Sequence, residues 1–169
     1  MFDVAIIGAG ISGLICAQQL QQAGYRVVVV EKSRGLGGRV TTRRLQDTCA
    51  DRGLSYLIAN GELTTSFVEL LKSQDILKLW TDTVHEFKAD FGLKAVKGVP
   101  LYIAPNGMSA IARFLAKDLE IQLSRRVVSL SLLDLLRESS ITRKFKVNDR
   151  GNQVEPKSKS SSAIAVTLC

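Results

Sequence analysis

The chain opens on a continuous apolar run, Val4–Ile7, that stops at Gly8. Four consecutive apolar residues without alternation are the pattern of a short strand buried on both faces. The next stretch changes rhythm. Apolar side chains fall at Leu14, Ile15, Ala17 and Leu20, while Gln18, Gln19, Gln21 and Gln22 supply a wet face, so residues 12–23 read as an amphipathic helix ended by Gly24. Val27–Val30 is a second apolar run, β-branched throughout and therefore suited to a strand. Strand, helix and strand within about 30 residues make a βαβ unit with parallel strands.

Beyond this unit the rhythm weakens. Residues 31–60 are rich in Gly, Arg and Thr without a sustained period and read mainly as loop. Phe67, Leu70 and Leu71 mark a helix over residues 65–74. Residues 77–102 read as short strands and turns broken by Gly92, Gly98 and Pro100. A further helix is expected from Asn106, as N-cap, to Leu119, with Met108, Ile111, Phe114 or Leu115, and Leu119 facing inward. Residues 120–124 read as a strand, and another begins at 127–130. Residues 144–147 and 152–154 suit a hairpin around Asp149-Arg150-Gly151, residues 157–162 a polar linker, and residues 163–168 a last buried strand.

Composition adds bounds to this picture. A chain of 169 residues with 46% apolar content and a mean hydropathy of +0.11 can support a real core and fits one domain. The expected division is a dinucleotide-binding domain over residues 1–136 and a basic tail over 137–169. Net charge is +7, and the tail alone contributes 7 Lys/Arg against 3 Asp/Glu. That tail has one aromatic residue, Phe145, and no nucleic-acid motif, so nucleic acid is not the expected partner. The apolar stretch 4–17 is shorter than the roughly 20 residues of a membrane helix and lacks a basic leader. Cys16, Cys49 and Cys169 match neither a disulfide framework nor a zinc site. Together these features predict a protein of the cytoplasm, with no membrane partner and no metal.

The chemistry concentrates after the first strand. Gly8-x-Gly10-x-x-Gly13 ends that strand and opens the helix: Gly8 for the tight turn, Gly10 for backbone approach to a pyrophosphate, Gly13 for close helix–sheet packing. The helix N-terminus adds unpaired N–H groups and the positive end of its dipole. Glu31 closes the second strand 18 positions after Gly13, where a carboxylate would accept hydrogen bonds from ribose hydroxyls. A 2′-phosphate there would meet like charge, which disfavours NADP. Arg34, Arg39, Arg43, Arg44 and Arg52 place five guanidinium groups within 19 positions, a charge suited to phosphate.

A second glycine motif, Gly37-Gly38-Arg39, follows the glutamate where a simple NAD domain would continue into a helix. With Ala50-Asp51-Arg52-Gly53-Leu54-Ser55-Tyr56 and Pro105-Asn106-Gly107-Met108-Ser109-Ala110-Ile111-Ala112-Arg113, the chain resembles the flavin-dependent amine oxidase superfamily over roughly residues 2–130. Within it, the similarity is to the renalase-like oxidoreductases. The resemblance implies a Rossmann-like α/β domain with a parallel sheet that binds FAD. The cofactor-binding set it implies is Gly8, Gly10, Ile11, Ser12, Gly13, Glu31, Lys32, Gly38, Arg39, Leu54, Ser55, Tyr56 and Val127. Ser12 and Arg39 would contact the pyrophosphate, Glu31 the ribose, the backbone of Val127 the adenine, and residues 54–56 the flavin side. The implied reaction is hydride transfer to flavin from an amine or a dihydronicotinamide-like small molecule.

No catalytic residue is assigned. His85 stands alone, without the partners of a triad or a metal site. Trp80 and Phe91 read as packing residues, Tyr102 as a strand or core position that could alternatively face a flavin, and Cys16 as a buried small apolar residue. Members of the superfamily are longer and continue into a substrate domain before returning to complete the flavin site. The expectation is therefore an incomplete FAD domain, finished by missing regions or by a second chain. A non-catalytic dinucleotide-binding module, a truncated fragment and an NAD-binding reductase remain open alternatives.

Overall fold

The structure, a computed structural model, describes residues 2–89, 92–128, 130–134, 143–149, 152–153 and 164–167. The chain divides into two compact units, one formed by Met1–Gly38 and Ala112–Cys169, the other by Arg39–Ile111.

The first unit is built on a parallel sheet. Strand β1 (Val4–Ile7) leads into helix α1 (Ile11–Gln22), which packs on β1 and on strand β2 (Val27–Val30). The register pairs Val4 with Val27 and Ile7 with Val30. Burial follows the expected pattern in β2, where Val27, Val28, Val29 and Val30 are all buried, but in β1 Val4 and Ile6 are buried while Ala5 and Ile7 are half-buried; Leu14 and Ala17 of α1 are buried. Ile15, Leu20 and Cys16 are only half-buried, so the covered face of α1 is narrower than its sequence pattern. The helix ends as predicted at Gly24, whose φ of 87° allows the Tyr25 N–H to reach back to the Leu20 carbonyl at 3.0 Å and the Gly24 N–H to reach Gln21 at 2.9 Å.

The second unit is antiparallel. Strands β3 (Val40–Leu45) and β4 (Thr48–Gly53) pair around a two-residue turn at Gln46 and Asp47. The sequence reading as loop is corrected here. Only Val40 in this pair is buried, so no alternation marked the strands, and cross-strand backbone pairing forms them instead. Strand β5 (Leu57–Ile58) precedes helix α2 (Glu62–Ser73), which begins three residues earlier than expected and buries Val68 and Leu71.

Residues 77–102 differ most from the expectation. They form two long strands, β6 (Lys78–Lys88) and β7 (Gly92–Ile103), paired with each other and, through β7, with β5. The register slips between Leu79 and Thr81 and again between Thr81 and Thr83. Gly98 and Pro100 lie in the second slip, where Pro100 has no ladder N–H to supply, so neither residue ends the strand. Trp80 sits in the first slip and is exposed, against the reading of it as a packing residue. Phe91 is outside the described residues. Among the described residues of this unit, the core comprises Val40, Val68, Leu71, Leu77, Leu101, Ala104, Met108 and Ile111.

Helix α3 (Ser109–Leu115) is shorter than residues 106–119, and Asn106 does not cap it. Asp51 does that work from β4: its Oδ1 accepts the Met108 N–H at 2.9 Å and the Thr42 hydroxyl at 2.6 Å. The Thr42 oxygen in turn accepts the Ser109 N–H at 3.0 Å. Met108, Ile111 and Leu115 face inward as expected.

Back in the first unit, strand β8 (Glu120–Gln122) pairs parallel with β2. Strand β9 (Leu130–Asp134) pairs with β10 (Arg143–Asp149), and β10 pairs with β11 (Asn152–Gln153). The hairpin expected around Asp149 is present, and its pairing with β9 is an addition. Strand β12 (Ile164–Thr167) lies parallel to β1, giving the order β12-β1-β2-β8. The expected linker, residues 157–162, is outside the described residues.

Candidate nucleotide-binding site

Residues 8–13 join the C-terminal end of β1 to α1. A Cβ on Gly13 would run into the Gly8 carbonyl oxygen, so only glycine permits this helix to start so close to the strand. Above Gly8 and Gly10, by contrast, a Cβ would meet nothing within 4 Å, which leaves the loop backbone open to a ligand. Gly10 is the extended N-cap residue of α1. Among the described residues no side chain caps this helix and its first turn carries no acid. Ser12 is exposed and Ile11 half-buried in that first turn.

Glu31 is buried, with 8% of its surface exposed, at the end of β2. Its Oε2 accepts the Ala9 N–H at 2.8 Å, and its Oε1 accepts the Ser33 N–H at 2.8 Å. Burial alone would raise its pKa. The Ala9 and Ser33 amides, the Ser33 hydroxyl and the charge of Lys32 outweigh that and hold the carboxyl below its ordinary value. Glu31 is thus a carboxylate at neutral pH. Its backbone is fastened as well, with its N–H donating to Gln122 and its carbonyl accepting the Arg125 N–H, both at 2.9 Å.

The glycine doublet comes to the same place. Gly37 donates its N–H to the Ala9 carbonyl at 2.8 Å and forms an isolated parallel bridge with Gly10. A Cβ on Gly38 would lie 3.5 Å from the Gly10 Cα. Backbone therefore packs on backbone, and two motifs about thirty residues apart in sequence form one cradle. Lys32 is exposed beside it, and Val127 is half-buried in the irregular segment after β8.

Arg39, Leu54, Ser55 and Tyr56 belong to the second unit. There the Arg39 carbonyl accepts the Leu54 N–H at 2.9 Å, and a Cβ on Gly53 would collide with the Arg39 oxygen, so the doublet's arginine and the 54–56 segment are joined locally. Ser55 and Tyr56 are exposed. Arg34 lies in the first unit and Arg43, Arg44 and Arg52 in the second, all exposed. His85 is an exposed strand residue on β6. Tyr102 is a β7 position, half-buried, with the Lys72 ammonium 5.4 Å from its ring centre. Among the described residues no group of His, Cys, Asp and Glu could hold a metal, and no helix is long and apolar enough to cross a membrane.

Comparison with known proteins agrees with this geometry. Residues 6–71 match the family described as NAD(P)-binding Rossmann-like domain. An L-amino-acid oxidase of Sistrurus catenatus edwardsii is 39% identical over 66 residues, covering 39% of this chain and 13% of the relative. Lysine-specific histone demethylase 1 homolog 1 of Arabidopsis thaliana is 42% identical over 60 residues, covering 32% of this chain and 7% of the relative. A solved triple mutant of putrescine oxidase, from a redesign of its cofactor binding, shares the fold with a TM-score of 0.66 at 14% identity, covering 89% of this chain and 55% of that one. The N-terminal part of this chain is thus similar to the NAD(P)-binding Rossmann-like domain and to amine oxidases such as the L-amino-acid oxidases. Its fold is the Rossmann-like domain with a parallel sheet. The chain spans 6% to 15% of the length of the curated relatives it matches.

The matched segment, residues 6–71, contains every sequence-predicted site residue except Val127. Three contributors stood outside the predicted set: Ala9 and Gly37, acting through backbone groups, and Ser33, acting through its backbone amide and its hydroxyl. Gly37 was visible as half of the doublet. Nothing in the identity of Ala9 or Ser33 announces a main-chain donor.

Proposed function

We propose that the chain is the FAD-binding part of a flavin-dependent oxidoreductase, of the renalase-like kind within its superfamily. The single observation that carries this is the cradle in which Gly8–Gly13, Glu31 and Gly37-Gly38 converge, open above Gly8 and Gly10 and closed below Gly13. Those residues fit a dinucleotide: an uncapped helix N-terminus beside an open loop for the pyrophosphate, a carboxylate for ribose hydroxyls, and no side chain in the way. Gly8, Gly10, Ile11, Ser12, Gly13 and Gly38 would hold the pyrophosphate together with Arg39. Glu31 and Lys32 would lie at the ribose, Val127 at the adenine, and Leu54, Ser55 and Tyr56 towards the flavin. A bound flavin would supply hydride acceptance from an amine or a dihydronicotinamide-like small molecule. A second chain completing the flavin site is the partner we infer. The free thiols of Cys16 and Cys49 suit a reducing cytoplasm.

The test is the absorption spectrum of the purified chain before and after FAD addition and desalting. Retained bands near about 370 and 450 nm support the reading. A colourless protein that takes up NADH but not FAD overturns it in favour of a nicotinamide reductase. Anaerobic bleaching of bound flavin by amines or NAD(P)H separates an oxidoreductase from a binding module, which would show none.

A further inference from the structure

Ala9 is the residue at which the phosphate loop is fixed. It is fully buried, and both of its main-chain polar groups are taken by the segment that follows β2. Its N–H goes to Glu31 Oε2 at 2.8 Å and its carbonyl accepts the Gly37 N–H at 2.8 Å. The other carboxylate oxygen of Glu31 is held by the Ser33 N–H, so the carboxylate bridges two backbone segments. A residue whose task was only to meet ribose hydroxyls would not need both oxygens engaged by the protein. We propose that Glu31 is a positioning residue: with Gly37 it clamps the Ala9 peptide from both sides and shapes the phosphate cradle before any ligand arrives. This rests on the nucleotide-binding reading of the loop.

The chemistry makes Glu31→Gln informative. A carboxamide keeps one oxygen and turns the other position into a donor, so it can accept from Ala9 or from Ser33 but not from both. It still offers an acceptor to a ribose hydroxyl. It also removes a negative charge near the bound phosphates, which by Coulomb's law favours an anionic ligand. Loop positioning and charge therefore push pyrophosphate affinity in opposite directions.

The experiment uses the full chain, wild type and E31Q, with two readouts. Amide hydrogen exchange without ligand is expected to show Ala9 and Ser33 protected in the wild type, and at least one of them faster by about tenfold or more in E31Q. Calorimetric titration is expected to show inorganic pyrophosphate bound about tenfold more weakly by E31Q, as for loss of a hydrogen bond to a charged group, with adenosine changed by less than about twofold. Pyrophosphate affinity unchanged or tightened, with adenosine weakened, overturns the clamp and leaves Glu31 a ribose contact. If E31Q does not fold, the wild-type exchange decides: an Ala9 amide as fast as those of the exposed turn residues Gln46 and Asp47 overturns the clamp. If the wild type binds neither probe, the nucleotide reading fails, and the exchange rates still decide whether Ala9 is clamped.

Discussion

Strands β2 and β6 both carry large apolar side chains but use them differently. In β2 all four valines are buried. On β6, Leu79, Trp80 and Phe87 are 56%, 59% and 74% exposed. The first strand exists because its side chains leave water. The second exists because its backbone pairs along almost its whole length with β7. Large apolar side chains thus mark a core in one unit and a surface in the other, and what separates the two strands is the unbroken valine run of β2 against the Lys, Asp, His and Glu that interrupt β6.

Substitutions can break or sharpen that contrast. Ile6→Ala, in the parallel sheet, should cost about 3 kcal/mol in a urea titration, whereas Phe87→Ser on the hairpin should shift stability by less than about 0.5 kcal/mol. Equal losses at the two sites would erase the distinction. Next in size, Gly13→Ala should cost about 2 kcal/mol, because the added methyl meets backbone that cannot swing aside. It should also lower retention of flavin on desalting, and a variant as stable as wild type would refute the close approach. Asp51→Ala should cost roughly 1–2 kcal/mol by leaving the Met108 N–H and the Thr42 hydroxyl without their shared acceptor. The same melting series with Asp51→Asn, which keeps an acceptor, should recover part of the loss.

The smallest effect lies at the starts of β1 and β2. Arg26 donates to Asp3 through its Nε and its terminal nitrogen, and its backbone N–H adds a third bond at 2.9 Å. These bonds hold the Asp3 pKa at about 2, from an ordinary 3.8. A depressed carboxylate stabilises fully above its unfolded pKa and loses that contribution as pH falls towards its folded value. The gap in thermal midpoint between wild type and Asp3→Asn should therefore be present at pH 7 and shrink as pH drops from about 4 to 2. A gap independent of pH would show that the ion pair contributes nothing.

Legibility in the sequence followed the same division. The βαβ unit could be read because both strands are unbroken apolar runs, β2 buried throughout and β1 at alternate positions, and because Gly24 marks a helix end with its own geometry. Strands β3 and β4 could not, since Thr41, Thr42, Arg43 and Arg44 carry no alternation and the pairing partner is visible only in three dimensions. The start of α3 was misplaced because its first amides are satisfied by Thr42 and Asp51, more than fifty positions upstream, rather than by Asn106. At the candidate site the glycines and Glu31 were visible as side-chain identities. The bonds that bring them together run through main-chain groups of Ala9, Ser33 and Gly37, which any residue but proline could supply.

The parallel pairing of Val4 with Ile164 has a consequence for synthesis. One edge of β1 waits for a partner about 160 residues downstream, and a ribosome adding about 5–20 residues per second takes on the order of ten to thirty seconds to deliver it. During that interval the phosphate loop can form from β1, α1 and β2, but the strand beside it presents bare N–H and carbonyl groups along one side. Such an edge is open to wrong partners. The interval is one in which a chaperone has something to hold.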